Sequence, residues 1–131
     1  MLADIELLVG RVLTSIIFLS AGWEKIRSPA GTAEYIGKAG GIAPPLVMPL
    51  LYLSIVVEVV GALMLIFGVR ARLAALIIFL WLIPVTFLIH FRNGQMLEVM
   101  KNLCIMGGLL AFAAYGAGRF SVDGPSPERS S

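Results

Sequence analysis

The sequence predicts an all-α, polytopic membrane protein: a bundle of four transmembrane helices with a short interfacial helix between the first and second spans. Three observations predict it. Only 14% of the 131 residues are charged and 59% are hydrophobic, whereas a soluble domain carries about 25% charged residues. The apolar residues come in long runs rather than short alternating strands, and a run of about 20 crosses a bilayer as a helix. The breaks between the runs hold the glycines, prolines and arginines expected of turns.

Taken in order, the spans fall at roughly 5–23, 46–67, 71–91 and 98–117. At the start of the first, Met1–Leu8 carries Asp4 and Glu6 rather than a basic n-region, and no Ala-x-Ala site follows the span. It is therefore expected to be retained as a membrane helix rather than removed as a signal peptide. Between the first two spans, Ser28-Pro29 reads as an N-cap followed by a first-turn proline, and Gly40-Gly41 as a stop. A short interfacial helix is expected there, with Tyr35 and Ile36 toward the membrane. Gly68 to Arg72 leaves room only for a tight hairpin, and Asn93-Gly94 supplies a positive-φ turn between the last two spans. Together the spans make one membrane domain over residues 1–131, and the Pro/Ser-rich tail 118–131 is expected to be poorly ordered.

Composition also excludes function classes. The net charge of +2 needs no nucleic-acid partner, because no basic stripe with interleaved aromatics occurs. The single cysteine, Cys104, excludes an intrachain disulfide and any Cys-x-x-Cys redox motif. No metal site is expected, and the methionines read as soft packing. Lys/Arg bias does not orient the bundle: Arg70, Arg72, Arg119 and Arg129 on the termini side balance Lys25, Arg27, Lys38 and Arg92 on the other. Cytoplasmic termini are the working assignment.

Ionisable residues within spans cost about 2.5–3.5 kcal/mol at a helix centre on insertion scales, so they face the bundle interior. Arg11, Glu58, His90 and Lys101 are the candidates, with Asn102 beside the last. Ser54, Gly61 and Ala62 flank Glu58 at i−4, i+3 and i+4, and small residues mark close helix contact in membranes. At 1.5 Å rise, Arg11 lies about 9 Å and Glu58 about 15 Å inside the termini-side boundary. An arginine side chain bridges that gap, so a buried Arg11–Glu58 pair is expected to organise the bundle. Lys101 either snorkels to the headgroups or reaches Glu58, with Cys104, Gly108 and Ala111 on its face. His90 reads as a boundary residue or, with Tyr52 and Trp81, as part of a quinone pocket. Pro84 is expected to kink the third span.

The segments RVLTSIIFLSAGWEKIRSPAG, VVEVVGALMLIFGVRARLAAL and MLEVMKNLCIMGGLLAFAAYGAGRFSVD resemble the DoxX family of small bacterial inner-membrane proteins. The likeness runs from about Arg11 to Asp123. It implies a four-helix integral protein of the bacterial inner (plasma) membrane, and for some members a link to membrane redox assemblies. The leading expectation is an accessory or structural subunit of a membrane-associated assembly, with membrane redox proteins or further copies of itself as partners in the lipid bilayer. One alternative is a quinone-linked oxidoreductase component using Glu58 and His90 as its catalytic candidates. Another is small-solute transport by an oligomer. No cofactor is expected on the leading reading, quinone is the possible one, and haem would need a second histidine from another subunit.

Overall fold

The structure, a computed structural model, describes residues 1–124. Helix α1 (Leu2–Arg27) is longer than predicted, because nothing between Met1 and Ser28 interrupts its backbone ladder. Its buried residues are Arg11, Ser15, Phe18 and Gly22, at alternating spacings of four and three, while Ile5, Val9, Leu13 and Ile16 face outward. Helix α3 (Pro44–Phe67) buries Leu51, Ser54, Glu58, Gly61 and Leu65 in the same rhythm. That repeat is the ridge pattern of closely aligned helix pairs. The two helices run antiparallel, Arg11 meeting Leu65 and Gly22 meeting Val59. A Cβ at position 22 would stand 2.4 Å from Val59 Cγ2, so the seam requires glycine there.

The helix expected between the first two spans is α2 (Pro29–Gly40), with Ser28 at its N-cap and Gly41 ending it at φ +61°. The orphan carbonyls of its last turn accept hydrogen bonds from the loop that follows Phe91. Arg92 Nη1 donates to Gly40 O and Asn93 Nδ2 to Ala39 O, each at 2.8 Å. Ile36, expected toward the membrane, is buried against the bundle, whereas Tyr35 is exposed.

Helix α4 (Ala71–Pro84) gives way to a π-helical segment, Val85–Phe91. Pro84 brings no N–H and its ring crowds the carbonyl four residues back, so the ladder continues in the wider i→i+5 form. Helix α5 (Met96–Tyr115) completes the bundle. Among the described residues, Pro44–Phe67, Ala71–Phe91 and Met96–Tyr115 are long and apolar enough to cross a membrane. The first predicted span is not one of these three; α1 carries Asp4, Glu6, Arg11, Glu24, Lys25 and Arg27 along its length.

The apolar core fills the half of the bundle nearest the α3–α4 turn, where Ala62 and Leu65 meet Ala74, Ala75 and Ile78, and Leu109 and Phe112 close the third side. The expectation of a poorly ordered tail is corrected for its first residues; 125–131 lie outside the described residues. Val122 N–H donates to Phe67 O and Asp123 N–H to Gly68 O, and the Arg70 N–H bonds the Asp123 carboxylate. Residues 118–124 thus satisfy the carbonyls that α3 leaves open at its end, a source of order that polar composition does not reveal.

Candidate functional site

The predicted Arg11–Glu58 pair does not form. Arg11 is fully buried, but its guanidinium turns toward the termini. Nη1 donates to Leu65 O (2.6 Å) and Ile66 O (3.1 Å), and Nη2 to Phe120 O (2.6 Å). The last carbonyls of α3 are unpaired and carry the negative end of the helix dipole, so they hold a cation as a carboxylate does. Arg11 therefore clamps the end of α3 to the C-terminal strap.

Glu58 is paired instead with Lys25, whose Nζ lies 2.6 Å from each carboxylate oxygen. Lys25 sits at the far end of α1 and folds its four-carbon stem inward along the bundle. The sequence reading missed it, although a signal was present: continuing the spacing Arg11, Ser15, Phe18, Gly22 by three lands on Lys25. Charge depth counted along the helix axis ignores a side-chain reach of a full turn in either direction.

Lys101 does not reach Glu58; it pairs with Glu98 one turn earlier and is exposed. The inward face of α5 is Val99, Asn102, Met106 and Leu109 rather than the small-residue face. Cys104 accordingly lies exposed, and a Cβ on Gly107 or Gly108 would touch nothing. Of the expected polar cluster, Asn102 is buried, its Nδ2 donating to Thr86 Oγ1 at 3.1 Å.

These groups surround a cavity of about 400 Å³, within the size range of small-molecule sites. It occupies the half of the bundle opposite the apolar core. Ile17, Phe18 and Ala21 of α1, Ile36 of α2, Leu50 of α3, Leu82 of α4, Leu88 and Ile89 of the π segment and Ile105 of α5 make its apolar wall. The polar lining is sparse: the Lys25–Glu58 pair, Ser54, Trp81, His90, Asn102, Thr32, Tyr35 and the Glu98–Lys101 pair. Ser54 Oγ and Trp81 Nε1 are buried and find no hydrogen-bond partner among the described residues. Buried polar groups are almost always satisfied by protein, water or a ligand; Arg11 Nε, outside the lining, is a third such atom, and Ser54 and Trp81 are the two that belong to lining residues. His90 is bonded through Nδ1 to Gln95 Oε1 at 2.6 Å, and Gln95 also meets Tyr35 Oη at 3.2–3.3 Å.

Two residues of the expected quinone pocket, Trp81 and His90, do line this cavity. Tyr52 does not: it is 58% exposed on the outer face of α3, one residue off the inward Leu51–Ser54 stripe and thus turned by about 100°.

The DoxX family model matches residues 6–91. Inner membrane protein YqjF of Escherichia coli (strain K12) is 39% identical over 125 residues, covering 93% of this chain and 92% of that relative. Inner membrane protein YphA of the same organism is 30% identical over 125 residues, covering 89% and 87%. No solved structure matches. With a family match over most of the chain and two near-full-length relatives of the inner membrane, this chain belongs to the DoxX family of membrane proteins.

Proposed function

We propose that this protein is an inner-membrane accessory subunit that holds a neutral, lipid-soluble small molecule of the quinone class within its helix bundle. The observation that carries the reading is the cavity of about 400 Å³, apolar on most of its wall, with the Ser54 hydroxyl and the Trp81 indole N–H unpartnered. A ring system with carbonyl oxygens supplies apolar area for such a wall and acceptors for both donors. Charge supports neutrality of the ligand: the ionic residues of the lining come as two pairs, Lys25–Glu58 and Lys101–Glu98. An accessory role fits better than catalysis, since both carboxylate oxygens of Glu58 are engaged by Lys25. Transport fits less well, because the half nearest the α3–α4 turn is filled by the apolar core.

In this reading α1 is the fourth span and α2 lies along the membrane interface. At 26 residues α1 is about 39 Å long. Its outward stripe of Ile5, Val9, Leu13 and Ile16 suits lipid, and its polar residues Arg11 and Ser15 turn inward. With an even number of spans the two termini share one side, taken as cytoplasmic.

The experiment uses the tryptophans. The chain has two, and Trp23 lies away from the cavity lining. Trp23→Phe protein in lipid nanodiscs is titrated with 2-methyl-1,4-naphthoquinone while Trp81 emission is followed. Saturable quenching, weakened by Ser54→Val, is expected. Quenching that rises linearly without saturation, together with no quinone in lipid extracts of the purified protein, refutes the proposal.

A further inference from the structure

We infer that His90 makes the cavity selective for a ligand that presents a hydroxyl, so that the reduced, quinol-like form of a lipophilic ring is held more tightly than the carbonyl-only form. The inference rests on the reading of the cavity as a ligand site and concerns which chemical form it takes. It begins from the tautomer. His90 Nδ1 lies 2.6 Å from Gln95 Oε1. A carboxamide oxygen has no hydrogen to give, so Nδ1 carries the proton and donates it. The neutral ring then has a lone pair on Nε2, and Nε2 is a hydrogen-bond acceptor.

The orientation of Gln95 is itself held. Tyr35 Oη, reaching down from α2, lies 3.3 Å from Oε1 and 3.2 Å from Nε2 of the same amide, and Gln95 N–H donates to His90 O at 2.9 Å. Tyr35 and Gln95 are thus positioning residues: they hold the ring from two different elements. The π segment contributes as well, since it carries His90 at the cavity wall.

The rest of the lining makes this acceptor distinctive. Ser54 Oγ–H and Trp81 Nε1–H are donors without partners, and Lys25 has a third N–H beyond the two that Glu58 takes. These groups accept any ligand with an oxygen lone pair and do not distinguish a carbonyl from a hydroxyl. The carboxylates that line the cavity are each held by a lysine. Nε2 of His90 and Oδ1 of Asn102 are neutral acceptors in the lining with no hydrogen of their own to give, and a hydrogen bond from a ligand hydroxyl to Nε2 corresponds to about a fivefold preference.

The titratable and charged groups around the imidazole are Tyr35 on α2, Glu98 and Lys101 on α5, Lys25 on α1 and Glu58 on α3, all lining the same cavity.

Three ligands of one skeleton test this in Trp23→Phe nanodiscs kept anaerobic: 2-methyl-1,4-naphthoquinone, its 1,4-diol, and the dimethyl ether of that diol. The diol is expected to bind about fivefold more tightly than the ether or the quinone. His90→Phe should level the three affinities. Gln95→Leu, which leaves the ring in place but frees its tautomer, should reduce the preference without abolishing binding, and covers the case in which His90→Phe fails to fold. Equal affinities for diol and ether, with saturable binding of all three, overturn the inference while leaving the ligand site standing. Binding of none of them overturns the ligand site itself.

Discussion

Replacing Lys25 by methionine should destabilise the bundle more than replacing Glu58 does, and replacing both should cost little. Glu58 is 8% exposed and Lys25 19% in their side chains, and both carboxylate oxygens are bonded at 2.6 Å. Removing one member of a buried pair leaves an uncompensated charge, at a cost of about 3–5 kcal/mol. The two members differ in what they can do afterwards. A stranded Glu58 sits mid-helix with Ser54 and Gly61 as neighbours, so Lys25→Met should cost about 3 kcal/mol. A stranded Lys25 is at the end of α1 and can swing its ammonium back to the headgroups, so Glu58→Met should cost about 1–2 kcal/mol. The double variant fills the same volume with apolar atoms and should lie within about 1 kcal/mol of the parent. Thermal unfolding of the purified protein, followed by loss of the monodisperse peak, reads these differences at about 4 °C per kcal/mol. The reasoning fails if the single costs simply add in the double variant. It fails equally if Glu58 couples to Arg11 in the corresponding Arg11→Met cycle, where no coupling is expected.

Three further outcomes follow from the same contacts. Gly22→Ala brings a Cβ against Val59 Cγ2 and should cost about 1–3 kcal/mol; Val59→Ala in the same chain should restore most of the lost melting temperature. Arg11→Met leaves the Leu65, Ile66 and Phe120 carbonyls without their donor, and it should cost about 3 kcal/mol. It should also release the strap, so limited trypsin cleavage at Arg119 should accelerate. Asp4, in the first turn of α1 and ahead of the sequence-predicted span 5–23, accepts the Arg119 N–H at 2.9 Å, and that bond holds its carboxyl below the usual carboxylate range. A lowered folded-state pKa adds stability that is complete above the unfolded value and lost as pH falls through the folded one. Asp4→Asn should therefore flatten the acid limb of a melting-temperature profile while leaving its alkaline limb unchanged.

Much of the fold was legible because it follows from short-range rules. The small residues around Glu58 point α3's inward face correctly, Ser28-Pro29 and Gly41 bound α2, and Pro84 marks the change of helix type. The same small-residue rule failed in α5, where none of Cys104, Gly108 and Ala111 is buried and the larger Val99, Met106 and Leu109 pack within. A bundle needs small residues only where backbones approach closely, and α5 meets its neighbours through side chains. The pairing of charges was not legible, because depth along a helix places a Cα and not a charge. Lysine and arginine each reach about one helical turn, so Glu58 had candidates above and below it. Backbone carbonyls were left out of that count altogether, although the open end of α3 is the partner that Arg11 takes.

The two cationic anchors also explain how the cavity is kept open. Arg11 and Lys25 are fourteen residues apart on one face of α1, or about 21 Å along its axis. One grips the end of α3 and the other its middle, so the α1–α3 seam is fixed at two levels and cannot close over the space beside Ser54. The opposite wall is held differently. There α2 is tied to the loop after the π segment by the Arg92 and Asn93 side chains, and Tyr35 meets Gln95, all at partly or fully exposed sites. Exposed hydrogen bonds break at little cost, since water replaces them. On the proposed reading a ligand enters on the α2 side, where Tyr35 and His90 line the cavity and Gln95, bonded to His90 Nδ1, sets which ring nitrogen is free to receive it.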